Sequence, residues 1–287
     1  MIDLHTHSTH SDGTLTPAEL LQKAEKMGLT LFAISDHNRV GACREYAAIR
    51  HLFSGKLLNA CEFSTMIHGQ SVEILGYGID PAPVEAFFAE RRKKIPNVML
   101  AELHLIYETY KKLGVRLDWA EEDFDQKKYI SAKRYVLHQL REFPENHRFF
   151  LDPENRHEVS HYYRRELYNP QSPLYVDYSP LNADPREVVE LIHAAGGKAL
   201  MAHCFIYTAE ITDHLLELAR TYGLDGFECY YPAFTQEQTD YLIDLCRKND
   251  LLISGGSDFH GALRPETEMA CLPIDPEHLK WAEEMSF

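Results

Sequence analysis

His5 and His7 stand two residues apart at the end of a short apolar segment, Ile2 to Leu4. That segment reads as a strand, and side chains two apart on a strand point to one face. Both imidazoles can therefore reach one point in space, which makes the pair half of a metal site. Seven more nitrogen and oxygen donors stand at the rims of apolar runs or in the loops beside them: Asp12, His37, Glu62, Glu73, His203, Asp258 and His260. Each has an ordinary reading as a loop or solvated polar residue, but their shared position at one rim is the signal. Nine donors exceed what one four-coordinate ion needs, so two to three divalent ions with bridging carboxylates are expected. A set without thiolates suits Mn²⁺ first, with Zn²⁺ or Fe as alternatives.

The elements that position these residues follow a repeating order. Thr16 caps a helix that starts at Pro17, carries Glu19 in its first turn and stops at Gly28. Strands are expected at 2–4, 31–34, 56–61, 71–77, 198–202, 226–229 and 251–254, with helices over 41–51, 184–195, 208–222 and 236–249. Strands alternating with helices imply parallel pairing and an α/β fold. Donors at strand C-termini imply a barrel mouth or sheet crevice. Residues 81–177 break the order. They begin with Pro81 and Pro83, continue as a long helix over 84–113 disturbed near Pro96, and hold no strand before Tyr175-Val176. The expected organisation is a barrel made of 1–80 and 178–287, with 81–177 as a mostly helical insertion placed to cover the mouth.

Composition narrows the partners. The 287-residue chain is 45% hydrophobic, enough for a substantial core, and carries a net charge of −15 with 16 histidines. That charge argues against a broad nucleic-acid face or an anionic membrane surface. It leaves room for a small nucleotide held through bound cations, which reverse the local field. The six cysteines, Cys43, Cys61, Cys204, Cys229, Cys246 and Cys271, form no C-x-x-C pair and read as buried free thiols of a reducing compartment. No apolar run of about 18 residues suggests a membrane span. The opening residues do not read as a signal peptide. A cytoplasmic protein is expected.

Several segments resemble the PHP (polymerase and histidinol phosphatase) family of metal-dependent phosphoesterases. They are Asp3-Leu4-His5-Thr6-His7-Ser8 with Ser11-Asp12-Gly13, Ser35-Asp36-His37-Asn38, Cys61-Glu62-Phe63-Ser64, Met201-Ala202-His203 and Gly256-Ser257-Asp258-Phe259-His260-Gly261. Phe227-Glu228-Cys229-Tyr230-Tyr231-Pro232 and Ile192-His193-Ala194-Ala195-Gly196-Gly197 are similar too. The match covers about 1–80 and 180–262. It is nearest the stand-alone branch that hydrolyses small nucleotides or degrades short RNA from its 5′ end. The resemblance implies a distorted (β/α)₇ TIM-like barrel. It implies that His5, His7, Glu62 and Asp258 hold one metal. Glu62 would bridge to a second that also takes His203, and Asp12, His37 and His260 would hold a third. Glu73 stands where relatives read histidine, in Glu73-Ile74-Leu75-Gly76-Tyr77; a carboxylate there still ligates and favours a harder ion such as Mn²⁺. In the insertion, Ser131-Ala132-Lys133-Arg134-Tyr135-Val136 replaces a Ser-Arg-Pro-His-like phosphate-binding segment, and Asn169-Pro170-Gln171-Ser172-Pro173 replaces a Gly-Lys-Pro-like turn. Lys133, Arg134 and Arg165, with its neighbour Arg164, are the candidate phosphate cations.

The expected reaction is attack of metal-activated water on a phosphate ester, with no serine or cysteine nucleophile. No Gly-x-Ser-x-Gly elbow or P-loop is present. The substrate would be a small nucleotide, a nucleoside bisphosphate or a short 5′-phosphorylated oligonucleotide. Two other classes use the same residues: an amide or lactone hydrolase with a similar centre, and a non-catalytic metal- or nucleotide-binding protein.

Overall fold

The computed structural model describes residues 1–118 and 131–285. These form two compact units. The first takes residues 1–65, 72–89 and 183–287, and the second takes 66–71 and 90–182.

The first unit is built on one curled sheet of seven strands in chain order. They are β1 (Ile2–Asp3), β2 (Leu31–Ile34), β3 (Lys56–Ile67), β4 (Gln70–Tyr77), β5 (Lys198–Met201), β6 (Gly226–Tyr230) and β7 (Leu252–Gly255). β1, β2 and β3 pair in parallel, as do β5, β6 and β7. β4 breaks the rule, because it pairs antiparallel with β5. It follows β3 through a two-residue turn at His68-Gly69, where φ is +49° and +77°. Two positive φ values in succession are what a tight hairpin between right-twisted strands requires. One of the seven expected strand–helix units is therefore a hairpin. The barrel expectation also needs correction: the strand ladder is a half-barrel that does not close. Beyond the ladder, backbone bonds link the first and last chain segments, from Leu4 N to Gly255 O (3.2 Å), Asp258 N to His5 O (2.8 Å) and His7 N to Phe259 O (2.9 Å).

Strand alternation explains the interior. Ile2 and Leu4, Leu31 and Ala33, Leu58 and Ala60, Leu75 and Tyr77, and Leu200 and Ala202 form one buried cluster, joined by Leu279 and Ala282 near the C-terminus. Each pair is spaced by two, so each strand gives one face to this core. Glu62 continues the Leu58–Ala60 series, and Glu73 precedes Leu75 and Tyr77 in theirs. Because β4 runs the other way, a donor before its apolar pair lies at the same end as a donor after the pair on β3.

The helices of this unit begin with α1 (Pro17–Met27), which has the capping box of Thr16 and Glu19 and ends at left-handed Gly28. α2 (Gly41–Ile49) and most of α3 (Pro81–Lys94) also belong to it. In the second unit α4 (Val98–Leu113) is separate from α3, because Pro96 cannot continue the helix and Asn97 caps the next one. It packs with α5 (Ala132–Glu142) and the short α6 (Val159–His161), which runs into a π-helical turn over Tyr162–Leu167. Their core includes Ile106, Tyr110, Val136, Leu140, Tyr162, Leu174 and Val176; residues 175 and 176 form no strand. The rest of the first unit holds α7 (Pro185–Ala194), α8 (Ala209–Thr212), α9 (Leu215–Tyr222), α10 (Gln236–Lys248) and α11 (Lys280–Glu284). Among the described residues no helix is long and apolar enough to cross a membrane. All six cysteines are free thiols and five are buried.

Gly256 carries the approach of the first and last segments. A Cβ there would lie 2.3 Å from His5 N and 2.4 Å from His5 Cβ. Gly256→Ala should cost about 2–3 kcal/mol, read as a fall in the urea midpoint at unchanged slope. Unchanged stability would mean these segments part freely.

Candidate metal centre

All nine expected donors lie in the first unit and converge. Their ligand atoms form four overlapping groups: His5, His7 and Asp258; His5, Glu62 and His203; His37, Glu62 and Glu73; and His7, Asp12, His37 and His260. Glu62 is the hub. Its Oε2 lies 3.3 Å from His5 Nε2, 3.3 Å from His7 Nε2 and 3.0 Å from His37 Nδ1, and its Oε1 lies 3.0 Å from His203 Nε2. Glu73 closes the far side, with Oε2 at 3.2 Å from His203 Nε2 and Oε1 at 3.4 Å from His37 Nδ1. Asp258 Oδ1 lies 3.1 Å from His7 Nε2, and Asp12 Oδ1 lies 3.3 Å from His260 Nε2.

This spacing fits cations. Ions bound at about 2.0–2.2 Å hold neighbouring donors about 3.0–3.5 Å apart at octahedral or tetrahedral angles. Moreover, His5 Nε2, His7 Nε2, His37 Nδ1, His260 Nε2 and Glu62 Oε2 are buried and make no hydrogen bond despite facing one another. Buried polar atoms are normally paired, so a converging set of unpaired lone pairs fits divalent ions.

The protein charge supports this. Burial alone would raise the Glu62 carboxyl, but His37 and His5 outweigh it and hold it well below the usual range. Asp258 is likewise lowered against burial by His5 and Arg264, and Asp12 against burial by His37 and His260. His7 goes the other way: burial and the His260 and His37 rings lower it to about 4, so it is a neutral donor.

A family model described as the PHP domain matches residues 3–140. That stretch carries the PHP match. The chain is 28% identical over 263 residues to the 3′,5′-nucleoside bisphosphate phosphatase of Chromobacterium violaceum, covering 90% of this chain and 87% of that one. It is 27% identical over 263 residues to the 5′-3′ exoribonuclease of Haemophilus influenzae, with 90% and 89% covered. A solved structure named as an amidohydrolase from Chromobacterium violaceum shares the fold at a TM-score of 0.72 and 23% identity, over 98% of this chain and 95% of that one.

The donors are aimed by residues that spacing alone did not single out. Glu228 on β6 is fully buried and accepts from His5 Nδ1 (2.8 Å) and from the His203 backbone N–H (2.8 Å). Spending the Nδ1 proton on Glu228 leaves the His5 Nε2 lone pair facing the centre. His260 Nδ1 is similarly tied to the Asp258 carbonyl at 2.8 Å. Asp36 accepts from Ser8 N (2.8 Å), Ser8 Oγ (2.7 Å) and Ser11 Oγ (2.6 Å), which fixes the loop carrying Asp12. Asp3 accepts from Ser257 N (2.9 Å), Ser257 Oγ (2.6 Å) and Ala270 N (2.7 Å), which fixes the loop carrying Asp258. Tyr207 Oη lies 3.0 Å from His203 Nδ1 and accepts from Glu73 N at 2.9 Å. His203 and Asp258 both have left-handed backbone, with φ of +31° and +55°. Such strain in non-glycine residues concentrates at functional sites.

The insertion cations lie in the second unit. The Lys133 ammonium is 3.2 Å from Glu102 and sits over the rings of Tyr163, Tyr168 and Tyr178 at 5.0–5.6 Å. Burial opposes its charge, but Glu102 outweighs burial and keeps it protonated. Arg134 and Arg165 are exposed, and Arg164 is half-buried.

Two predictions follow from this geometry. Glu228→Gln should keep the packing but weaken metal affinity roughly 10- to 100-fold by chelator competition; unchanged affinity would remove Glu228 from the centre. In the metal-free protein burial pulls His37 and His203 down, yet their carboxylate neighbours push both up to about 9. The ordinary value is 6.5, so folding favours their charged form. That stabilisation is full below pH 6.5 and is lost as pH rises through 9. The metal-free melting temperature should fall across this window, and Mn²⁺ uptake at pH 7 should release protons in paired-buffer calorimetry. A flat profile with no proton release would contradict both.

Proposed function

We propose that this protein hydrolyses a phosphate ester of a small nucleotide, a nucleoside bisphosphate or a short 5′-phosphorylated oligonucleotide. The observation that carries the reading is the set of nine donors spaced for cations around Glu62. The relatives' activities on a nucleoside bisphosphate and on RNA agree with it. His5, His7, Glu62 and Asp258 would hold one ion. His203 and Glu73 would join Glu62 on a second, and Asp12, His37 and His260 would hold a third. When bound, such ions supply a low-pKa water nucleophile and neutralise phosphoryl oxygens.

Charge sets how many ions the reaction needs. Asp12, Glu62, Glu73 and Asp258 are all held ionised, each against the pull of burial. Four carboxylates alone would repel a phosphate. Two dications bring the carboxylates to neutrality, and a third makes the centre attractive to an anion. The carboxylate at Glu73 therefore strengthens the case for three, with Mn²⁺ preferred over Zn²⁺ or Fe for its affinity toward oxygen donors. Arg134 and Arg165 are proposed as insertion-borne phosphate contacts. The free thiols agree with a cytoplasmic location.

Elemental analysis together with phosphate release in Mn²⁺ tests the reading, using AMP, adenosine 3′,5′-bisphosphate, histidinol phosphate and a short 5′-phosphorylated RNA. The expected outcome is close to three ions per chain and release from a nucleotide or the RNA. Asp258→Ala should abolish release, and Glu73→Ala should lower the metal count toward two. Bound metal with no release from any of the four would refute it.

A further inference from the structure

Arg264 is the cation at the centre that motif spacing did not reveal. Its Nη1 donates to Asp258 Oδ2. That oxygen also accepts from Tyr231 Oη at 2.9 Å. The other oxygen, Oδ1, faces His7 Nε2 at 3.1 Å, with His5 Nε2 and His260 Nδ1 each at 3.5 Å. Asp258 thus has one oxygen turned to the imidazoles and the other held by Arg264 and Tyr231.

The loop that brings Arg264 there is anchored. Gly261 turns it with φ of +66°, and a Cβ at Gly261 would lie 2.1 Å from Thr14 Oγ1. Ala262 N donates to Thr14 Oγ1 at 2.9 Å, Thr14 N donates to the His260 carbonyl at 3.2 Å, and Arg264 N donates to the Gly261 carbonyl at 3.2 Å. The guanidinium is fixed at both its base and its tip, so little ordering is left for binding to cost.

The occupied Nη1 accounts for only part of the group. A guanidinium carries five N–H donors in a planar fork. Among the described residues, Nη2 and Nε of Arg264 have no partner, while the side chain remains 36% exposed. Its charge is held by Asp258 and also feels Asp12, whose side chain is 45% exposed and is the most open of the nine donors. The unpartnered part of the guanidinium is thus partly exposed and within reach of the Asp12 charge. Lys133, by comparison, has its ammonium committed to Glu102.

We propose that Arg264 binds a phosphate oxygen of the substrate through its free guanidinium edge while its other edge holds Asp258. The proposal rests on the phosphoesterase reading and names the cation within the first unit that serves it. A planar fork suits this double task, because it can serve a carboxylate and a phosphate at once; an ammonium on the same stem cannot.

Arg264→Lys and Arg264→Ala test the proposal in the Mn²⁺-loaded protein. Three quantities are read: metal content, the dissociation constant of inorganic phosphate by calorimetry, and KM and kcat for whichever substrate of the panel turns over. The expected result is unchanged metal content in Arg264→Lys, with phosphate affinity weakened and KM raised by about 10- to 100-fold in both variants. Phosphate affinity equal to wild type, or a loss that merely tracks lost metal in both variants, would overturn it and leave Arg264 a positioning residue for Asp258. If the wild type binds phosphate in an Arg264-dependent way but hydrolyses no ester, the phosphoesterase reading fails and this contact stands.

Discussion

Glu62 Oε2 is buried, accepts no hydrogen bond and has three imidazole nitrogens within 3.3 Å. An ionised carboxylate taken from water without full compensation costs several kcal/mol. The polypeptide satisfies this one only in part, and the surrounding structure is arranged to hold it there. Glu228 fixes the His5 ring, Asp36 fixes the Ser8–Asp12 loop, and Asp3 fixes the loop before Asp258. These three buried carboxylates turn the remaining donors inward. His203 and Asp258 accept left-handed backbone for the same end. A site of unpaired lone pairs is expensive for a fold, and so much supporting structure is coherent only if cations relieve it.

The hairpin at His68-Gly69 is the topological part of that arrangement. In an all-parallel sheet, donors at one rim must all follow their strands in sequence. Here β4 reverses, so Glu73 reaches the rim from the N-terminal side of Leu75 and Tyr77. Glu62 and Glu73 are thus close neighbours of His203 and His37, although one ends an apolar series and the other begins one. The open ladder has a related effect. β1 has only two ladder residues, and after them the chain bonds Ser35 on one side and the Gly255–Phe259 segment on the other. That pairing sets His5 and His7 against Asp258.

Much of this was readable from residue types and their order. β2 and α1 have the expected bounds, and all nine donors converge, because strand rims and loop residues after apolar runs carry a local signal. What was hidden depended on partners far away in sequence. The reversal of β4 does not show in its apolar alternation, which reads the same in both directions; the turn position of His68 before Gly69 is its local sign. Closure was overestimated because a two-residue β1 and a true barrel strand have the same pattern. Glu228 sat inside a recognised motif, yet its role appears only with His5, 223 residues away. Arg264 lay in an unremarkable loop, and only the Gly261 turn onto Asp258 gives it meaning. Lys133 was marked by its place in the insertion, while Glu102 and three tyrosines that engage it come from elsewhere in the second unit.

Charge ties the proposed roles together. The chain as a whole is strongly anionic at −15, which opposes tracking along a polymer of phosphates. A small substrate needs only a local reversal of that field, and the centre is where reversal is possible. Compared with a neutral imidazole, the Glu73 carboxylate, held ionised by His203 and His37 against burial and Glu62, deepens the negative potential of the centre. Arg264 modifies the same balance from the protein side, lowering the charge on Asp258 without occupying the oxygen that faces the imidazoles. The carboxylate at 73 and the guanidinium at 264 therefore act in opposite directions on one potential.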